Sequence, residues 1–449
     1  MIYTKIFRFI SVIIVTALLT TACPGGSARI SAYSDGKDWH QFLGPDRNSI
    51  SSQTGLLRSW QEGGPEVLWS AGVGIGFGGP VVKNGKVYLL DREDGVCDIM
   101  RCFDLETGAE LWRFTYDAPG SLSFPGSRSV PIVDDRHVYS VGGNGDLYCI
   151  DINTYKPVWN KNVWTDFGGE RLPTWGITQN PIFYGDLLVV ASQAPQAGVV
   201  AYNKLTGNVV WKTLNLGITG YSNPKVVKID GDEQIVFITS SNARRGEMGN
   251  VVGINPRSGE ILWTYSQWET TAQVPCAIEV GDNRLLIVGE EQATMLKITK
   301  TTGGFDVSEI FTTKEFGDET KTPLFYNGYV YGMYRTVSKR EGLVCMNLDG
   351  EIMWKTRRNP NFDFGSMILA DGLIIATDGN KMLYLIDPNP TAFTLISQAE
   401  MLGEGGASTD GFVESMLASS TQNYAPIALA DGKLLIRDQY RMIALKVVE

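Results

Sequence analysis

A proline at the head of a β-strand signal recurs along the 449-residue chain. The first and last of these prolines lie 346 residues apart. They are Pro80, Pro131, Pro181, Pro224, Pro275, Pro323 and Pro426. An eighth unit near Met367 fits the long gap between the last two, which gives seven steps of about 49 residues. A repeat of this length with β signals and no helical period is typical of propellers and arrays.

The first complete unit shows the strand order of the repeat. Pro80-Val81-Val82 opens it, and the turn at Asn84-Gly85 leads into a second apolar run. Apolar runs on both sides of Asn-Gly are a strong hairpin signal. A third strand centres on Cys102-Phe103, and a second turn leads into a fourth strand that ends at Trp112. Each unit is therefore predicted to form one four-stranded blade.

The second turn of each unit carries the pattern D-x-x-T-G-x-x-x-W, most completely at Asp104 to Trp112. Asp and Thr side chains can accept hydrogen bonds from turn amides, and Gly supplies a positive φ. The Trp offers a large flat face to pack between neighbouring blades. We expect a structural docking role for Trp69, Trp112, Trp159, Trp211, Trp263 and Trp354. In the fifth unit, Val307 stands in the place of the Trp.

The end of the chain lacks a strand that its beginning can supply. The eighth unit starts at Pro426 and reaches only its third strand, Met442 to Leu445, before the chain ends. A spare strand signal with a Trp in register lies at Pro65 to Trp69. Pairing the two would remove two open sheet edges. The sequence therefore predicts an all-β, eight-bladed propeller of four-stranded antiparallel blades over residues 65–449, closed by an N-terminal strand.

The first 22 residues have the pattern of an export signal. Lys5 and Arg8 give a positive start, and an apolar run follows from Ile10 to Leu19. That run is too short for a comfortable membrane span. Its small-residue end is followed by Cys23.

A Cys at this position resembles a bacterial lipoprotein processing site and makes Cys23 the candidate lipid attachment residue. The usual Leu three positions before it is replaced by Thr20, so ordinary cleavage after Ala22 is the alternative. Residues 23–64 are then a tether and leader. The expected location is the cell envelope, either on the periplasmic side of the outer membrane as a lipoprotein or as a soluble periplasmic or secreted protein.

The chain carries a net charge of −10. Removing the signal segment takes away two positive charges and makes the mature chain more acidic still. Nucleic-acid binding relies on neutralising phosphates with Lys and Arg, so the charge argues against a nucleic-acid partner. An envelope protein or a small ligand is the expected partner, with the membrane reached through the lipid anchor.

Cysteine and histidine provide few chemical signals. Cys102, Cys149 and Cys345 share one position of the repeat, which other units fill with Ala or Gly, so we read them as small packing residues. The sequence leaves open whether Cys97 and Cys102 form a disulfide. The two histidines of the chain are His40 and His137, and we expect His137 to be exposed in a hairpin turn. This scarcity argues against zinc chemistry and an orthodox Ser-His-Asp triad.

The motif at Asp104 to Trp112 resembles the pyrroloquinoline-quinone-type repeat family of propellers. The stretch Phe42-x-Gly44-Pro45-x-Arg47 is similar to the leader of its exported bacterial members, so the resemblance covers about residues 39–449. It implies the propeller fold. The family includes quinone-dependent alcohol dehydrogenases and also the lipoprotein propeller of the outer-membrane barrel-assembly machine, which binds protein and no quinone.

The enzymatic branch of this family implies residues that the chain does not show in a matching motif. Eight-bladed quinone dehydrogenases typically carry a vicinal disulfide, and this sequence has no adjacent cysteines. They also hold a calcium ion with Glu, Asn and Asp. Glu290-Glu291 and Asp378 are suitable carboxylates but sit in no recognisable pattern, and a solvated turn is the simpler reading of Glu290-Glu291. No catalytic, cofactor-binding or metal residue is therefore assigned.

Two further segments bear on function. The run Gly74-x-Gly76-x-x-Gly79 matches a dinucleotide pattern by its letters but leads into a strand rather than a helix, so we read it as an inter-blade loop. The Gly- and Ser-rich segment 397–423 interrupts the repeat as a flap or a disordered insertion.

Loops on a rigid scaffold often carry function, and exposed aromatic and Arg side chains are favoured at interaction hot spots. The candidate binding-surface residues are Trp175, Arg244, Arg245, Arg335 and Tyr440. The alternative is that these side chains only close the end of the propeller's central channel and bind nothing. The sequence thus favours an exported, non-catalytic binding or scaffold propeller without a cofactor. A dehydrogenase that uses pyrroloquinoline quinone and calcium is the alternative function.

Overall fold

Eight sheets are arranged in a ring around a central channel in the computed structural model, which describes residues 36–336, 338–403 and 422–449. The predicted export signal, Cys23 and most of segment 397–423 lie outside the described residues. Each blade contains four antiparallel strands, which follow chain order in blades 1 to 7, and the sheet of blade 7 gains a fifth strand that pairs in parallel. The predicted eight-bladed, all-β propeller is confirmed.

Two strands precede the first complete blade, β1 (Ile50–Ser51) and β2 (Val67–Gly72). Blade 1 contains β3 (Val81–Lys83), β4 (Lys86–Glu93), β5 (Gly95–Asp104) and β6 (Glu110–Gly120). Blade 2 contains β7 (Ile132–Val133), β8 (His137–Val141), β9 (Asp146–Asp151) and β10 (Pro157–Asn162). Blade 3 contains β11 (Ile182–Tyr184), β12 (Leu187–Ala194), β13 (Ala197–Asn203) and β14 (Val209–Lys212). Blade 4 contains β15 (Lys225–Ile229), β16 (Asp232–Ile238), β17 (Gly249–Ile254) and β18 (Ile261–Trp268).

Blade 5 contains β19 (Ile278–Glu279), β20 (Arg284–Val288), β21 (Ala293–Thr301) and β22 (Gly304–Thr313). Blade 6 contains β23 (Leu324–Tyr326), β24 (Tyr329–Arg335), β25 (Arg340–Asn347) and β26 (Ile352–Lys355). Blade 7 contains β27 (Met367–Ala370), β28 (Leu373–Thr377), β29 (Met382–Asp387) and β30 (Thr394–Glu400). Blade 8 contains β31 (Ala428–Ala430), β32 (Lys433–Arg437) and β33 (Arg441–Lys446), together with β2. The helical elements of the described residues are two 3-10 turns, Thr165–Phe167 and Ala243–Arg245.

The first strand is the innermost strand of a blade, as shown where the first strands of neighbouring blades contact one another, between blades 8 and 1, 1 and 2, and 6 and 7. The apolar core lies between the blades rather than within one of them. Tyr139 and Leu147 of blade 2, for example, share a buried cluster with Leu188 and Val190 of blade 3. Burying such a side chain fully is worth about 1.5–3 kcal/mol. The repeat is therefore stabilised by contacts that each blade makes with the next.

The N-terminal strand closes the ring as predicted. Strand β2 pairs antiparallel with β33, with Val67 opposite Leu445 and Ser70 opposite Ile443. A bulge between Val67 and Trp69 shifts the register by one residue. The strand runs to Gly72, beyond the stretch that the sequence indicates.

The tryptophans at the motif position lie between blades. The indole nitrogen of one blade donates a hydrogen bond to a carbonyl oxygen in the second turn of the next blade. The pairs are Trp69 to Leu105 at 2.8 Å, Trp159 to Lys204 at 3.0 Å, Trp211 to Pro256 at 3.0 Å and Trp354 to Asn389 at 2.9 Å. Trp263 differs, since its nitrogen donates to Gln234 of its own blade at 2.7 Å.

Two details refine the motif. In blade 5, Phe311 rather than Val307 takes the Trp position, because more residues lie between Met295 and its partner Phe311 than between Cys102 and Trp112 in blade 1. The Phe311 ring lies against Gly350 of blade 6. In blade 2, Tyr155 replaces the turn Gly at a positive φ of 62°. Trp112 stacks on this tyrosine, and its indole N–H is buried without a hydrogen-bond partner among the described residues.

The shared cysteine position lies directly opposite the motif Trp on the neighbouring strand. Cys102 pairs with Trp112, and Cys345 pairs with Trp354. A small side chain is required there because the indole lies across it. All five cysteines of the described residues are buried and free, so Cys97 and Cys102 form no disulfide.

The leader passes through the propeller instead of acting as a tether alone. Trp39 bridges Val82 of blade 1, and the carbonyl oxygen of His40 accepts a 3.0 Å hydrogen bond from the amide of Val133 in blade 2. Strand β1 then pairs in parallel with β27 of blade 7. The leader therefore links the innermost strands of three blades across the central channel.

No helix within the described ranges has the length and apolar character needed to cross a membrane.

Candidate functional site

The two faces of the propeller carry different loops. In an antiparallel four-stranded blade, the hairpins that join strands one to two and three to four lie at one end. The loops that join strands two to three, and those that lead into the next blade, lie at the other end. We call the second end the upper face. Its loops surround the mouth of the central channel and build the candidate site.

Aromatic side chains from the inter-blade loops form an arc around this mouth. Phe77 stacks on Tyr424 with ring centroids 5.9 Å apart and meets Phe124 edge-on at 6.2 Å. Trp175 and Tyr221 pack at 4.6 Å. We define the aromatic arc as Phe77, Phe124, Trp175, Tyr221, Phe364 and Tyr424. Most of these rings are only half buried, so they present apolar faces at the mouth.

Arg128 links two loops of the aromatic arc. Its Nε donates to the carbonyl oxygen of Trp175 and its Nη2 to that of Phe124, both at 2.6 Å. Its guanidinium also lies 6.0 Å from the ring centre of Phe77. Burial lowers the pKa of Arg128 to about 10. The cation therefore positions two aromatic loops rather than standing free for a ligand.

Arg335 lies beside the arc in a buried ion pair. Its Nε donates to a carboxylate oxygen of Asp363 at 2.6 Å, and its guanidinium lies 5.0 Å from the ring centre of Phe364. The prediction that Arg335 is an exposed loop residue is wrong, since only 6% of it is accessible. It ends strand β24, where an apolar environment and a carboxylate hold it inward.

A group of carboxyls lies in the loop before blade 6. Burial raises the pKa of Asp318 to about 7. It raises that of Glu319 to about 7 as well, with the charge of Glu290 adding to the rise. Oε2 of Glu319 is buried and has no hydrogen-bond partner among the described residues. These groups can exchange protons near neutral pH.

A third carboxyl and one amine share this environment. Burial raises the pKa of Asp378 to about 6 and lowers that of Lys321 to about 8. The amine of Lys321 donates a 2.6 Å hydrogen bond to the carbonyl oxygen of Tyr424. This bond links the loop that carries Asp318 and Glu319 to the aromatic arc. Sequence reasoning missed Asp318, Glu319 and Lys321. Their signal is the charged run placed directly before Pro323, at the entry to an innermost strand.

The remaining candidates fall at different places on the upper face. Trp175 is half buried within the arc. Arg244 and Arg245 are exposed in the 3-10 turn between the second and third strands of blade 4. Tyr440 is 54% exposed in the corresponding loop of blade 8. The structure thus brings Trp175 and Arg335 to the channel mouth and leaves the other three on outlying loops.

The structure also places His137 and the pair Glu290 and Glu291, which the sequence puts in solvent-exposed turns. The prediction that His137 is exposed is wrong, because it begins strand β8 and is buried, with its ring centre 6.0 Å from that of Tyr139. Glu290 is half buried, and burial raises its pKa, whereas Glu291 is exposed and accepts a 2.6 Å hydrogen bond from Ser338.

The glycine run before blade 1 serves close packing. A Cβ on Gly76 would lie 2.4 Å from Oγ of Ser127, and one on Gly79 would lie 2.3 Å from the carbonyl oxygen of Pro426. The run leads into β3, so its glycines let three inter-blade loops approach one another.

The donor set at the mouth can be compared with the needs of a quinone cofactor. Pyrroloquinoline quinone carries three carboxylates and would need free cations, together with a ligand set for calcium. The nearby cations Arg128, Arg335 and Lys321 already donate to protein oxygens. Within the described part of the chain, no group of three or more His, Cys, Asp and Glu side chains could hold a metal ion. These residues do not fit the cofactor with its metal, and no catalytic step is derived through it.

Comparison with known proteins gives two kinds of relative. Residues 98–285 match the family model described as outer membrane protein assembly factor BamB. The BamB of Yersinia pestis is 25% identical over 292 residues, which cover 61% of this chain and 66% of that protein. Quinoprotein alcohol dehydrogenase PedH of Pseudomonas putida is 25% identical over 190 residues, which cover 41% of this chain and 29% of that protein. The chain therefore spans less than two thirds of each relative's own length.

A solved structure extends the likeness in fold. The europium-containing methanol dehydrogenase superposes with a TM-score of 0.64 over 90% of this chain and 89% of its own, at 13% identity. Identity at that level shows the fold alone. In sequence over residues 98–285, and in fold over nearly all of its length, this chain is thus similar to the pyrroloquinoline-quinone-like repeat propellers, as the motif at Asp104 to Trp112 indicates.

Proposed function

We propose that this chain is a non-catalytic binding or scaffold propeller of the cell envelope, and that a partner protein docks on the aromatic arc of the upper face. The observation that carries the proposal is the arc itself. Half-buried aromatic rings from loops between several different blades meet at one mouth, on a scaffold that holds them in place. Large aromatic side chains in such settings contribute most of the energy of many protein interfaces.

The electrostatics of the mouth support binding over catalysis. Arg128, Lys321 and Arg335 use their donors on carbonyl oxygens and a carboxylate of the protein itself. Cations held in this way keep the loops rigid, and rigidity lowers the entropy lost when a partner binds. The similarity to a protein named as an outer-membrane assembly factor supports an envelope protein as the partner.

Site-specific photo-crosslinking tests the docking surface. A photoreactive amino acid at position 175 should capture the partner in intact cells, because Trp175 lies in the arc. The same group at position 205 is the control, since Leu205 is 56% exposed in the lower-face turn of blade 3. Equal capture from both positions, or capture from position 205 alone, would contradict the proposal.

A substitution then measures the contribution of the arc. Trp175→Ala removes the ring but keeps the carbonyl oxygen that Arg128 binds. We expect at least a tenfold loss of affinity for the crosslinked partner, which corresponds to about 1.4 kcal/mol. The thermal midpoint of the variant should fall only modestly, since Trp175 lies in a surface loop and is only half buried.

A quinone-dependent alcohol dehydrogenase is the second candidate function. It is favoured by Asp318 and Glu319, whose pKa values of about 7 suit proton transfer at neutral pH, and by the similarity to quinoproteins. The test is dye-linked alcohol oxidation after pyrroloquinoline quinone and calcium are added. A cofactor at 100 times its dissociation constant would also stabilise the fold by about 2.7 kcal/mol. The leading proposal expects neither oxidation nor stabilisation.

The cellular location belongs to the same proposal. Cys23 is proposed as the lipid attachment residue that holds the propeller at the periplasmic side of the outer membrane. Its position directly after the apolar signal run supports this assignment. The similarity to BamB supports an envelope location.

A further inference from the structure

Two buried cations lie near each other in the central channel. Arg47 comes from the leader, and Lys225 begins β15, the innermost strand of blade 4. Each is only 5% exposed. Burial lowers the pKa of Lys225, and the positive charge of Arg47 lowers it further. Burial also lowers the pKa of Arg47, to about 10.

The guanidinium of Arg47 has donors to spare. Its Nη1 makes a long hydrogen bond of 3.3 Å to the carbonyl oxygen of Pro181. Its Nε and Nη2 are buried and have no partner among the described residues. These two nitrogens form one side of the planar fork, whose parallel N–H bonds suit an oxyanion held by two oxygens. A buried Arg with this edge empty is costly, because its donors lose water without gaining an acceptor.

Neighbouring acids do not neutralise the pair. In the part of the chain that the structure describes, neither Arg47 nor Lys225 forms an ion pair with a carboxylate. The acidic groups that act on Lys225 are Glu279 and Asp46, and both are exposed to solvent. Water screens exposed charges, so they compensate buried cations weakly. The remaining neighbour is Cys276, which is 1% exposed and whose sulfur lies beside the guanidinium of Arg47 and near the amine of Lys225. A thiol sulfur is only a weak hydrogen-bond acceptor, so it does not satisfy the donors of Arg47.

We propose that Arg47, Lys225 and Cys276 enclose a binding site for one small inorganic anion. Nε and Nη2 of Arg47 hold the anion from the leader, and the amine of Lys225 holds it from blade 4. The site lies inside the ring, apart from the aromatic arc, and its ligand is independent of the envelope partner. The bound anion would tie the leader to the innermost strands of blades 3 to 5.

Anion titration of the purified full chain tests the site. The protein is placed in sodium gluconate, whose anion is bulky, and chloride, inorganic phosphate or sulfate is added at constant ionic strength. Calorimetry and the thermal midpoint should both show saturable binding of at least one of these anions. The chloride and oxyanion arms separate a halide site from an oxyanion site. Absence of saturable binding in all three arms would overturn the proposal.

Matched variants locate the binding. Lys225→Met and Arg47→Met should each weaken the bound anion at least tenfold. Lys228→Met is the control, because Lys228 lies on the same strand but is exposed, and it should bind as the wild type does. Equal weakening in all three variants would mean a general charge effect and would refute the site.

A crystallographic readout keeps the test independent of variant stability. Crystals of the wild-type protein soaked separately in bromide and in selenate, an anomalous stand-in for sulfate, should give a peak within hydrogen-bond distance of Nε of Arg47 in at least one of the two soaks. A peak only at surface lysines would refute the site, since it would show that buried cations in the channel attract no anion.

Discussion

The indole ring of Trp69 lies against Gly108, and its nitrogen donates a 2.8 Å hydrogen bond to the carbonyl oxygen of Leu105. Trp69 belongs to the N-terminal strand that completes blade 8, whereas Gly108 lies in the last turn of blade 1. The contact therefore joins the last blade of the ring to the first. The same relationship recurs between Trp159 and Gly207 and between Trp211 and Gly259. The repeated D-x-x-T-G turn is thus the socket that receives the tryptophan of the preceding blade.

This geometry predicts a specific cost for a methyl group in the socket. Gly108 has a φ of +70°, and a Cβ there would come within 2.6 Å of the Trp69 ring. Gly85→Ala is a matched control, because Gly85 has the same φ and no atom within 4 Å of the added carbon. Gly108→Ala should therefore lower the free energy of unfolding by about 1–3 kcal/mol more than Gly85→Ala. Chemical denaturation measures the difference. Equal losses for the two variants would show that the Trp69 indole moves away from the added methyl group without a free-energy cost.

Removal of the closing strand should have a larger effect. Deletion of residues 65–70 exposes the edge of β33 and removes Trp69, whose burial is worth about 3–5 kcal/mol against Ala. We expect marked destabilisation and self-association, visible by light scattering. Trp112→Ala is the comparison, since it removes a tryptophan inside a complete blade and leaves the ring closed. A monomeric deletion variant as stable as Trp112→Ala would contradict this view of closure.

The blade number and ring closure could be predicted because they depend on a period. The turn motif and the proline recur at similar spacings in each unit, so the register of Trp69 and Trp112 can be recognised without knowledge of distant contacts. Val307 shows the limit of this reasoning. In blade 5 the chain between the paired positions Met295 and Phe311 is longer than that between Cys102 and Trp112 in blade 1, which moves the docking position to Phe311. A change in hairpin length leaves the period almost intact but changes which side chain reaches the neighbouring blade.

The candidate site was less accessible from sequence because its residues lie in loops without a period. Arg335 looks like an exposed loop residue until Asp363, 28 positions away, is seen beside it. Asp318 and Glu319 look like a solvated charge run, and only the closed ring shows that the loop before blade 6 is buried. The path of the leader across the channel depends on contacts with Val133 and Leu369, which no local pattern encodes.

Anchoring gives a prediction for the part of the chain outside the described residues. If Cys23 carries lipid, Cys23→Ala removes the residue that holds the acyl chains. The variant should then move from the membrane to the soluble envelope fraction, because firm membrane anchoring needs several acyl chains. Cys102→Ala is the control. Its repeat position is filled by Ala in blades 3 and 8, so the fold should tolerate the change without altered fractionation. Membrane retention of the Cys23 variant would remove the lipoprotein proposal.

The buried carboxyl of Glu319 predicts how stability changes with pH. Burial raises its pKa to about 7 in the folded protein, above the ordinary value of 4.5 that the unfolded chain retains. The folded state therefore binds the proton more tightly than the unfolded state. This contribution to stability is fully present below pH 4.5 and is lost as the pH rises toward 7.

Glu319→Gln keeps the size of the side chain but has no proton to lose. At pH 8 the variant should exceed the wild type by about 1–3 kcal/mol in free energy of unfolding, and near pH 4.5 the two should agree. Asp318 and Asp378 shift in the same direction, so the pH dependence should become weaker without vanishing. Glu260→Gln is the control, because Glu260 is exposed and its replacement should leave the pH profile unchanged. Denaturant titrations at several pH values measure the effect, and a full wild-type slope in Glu319→Gln would show that this carboxylate is already ionised throughout the range.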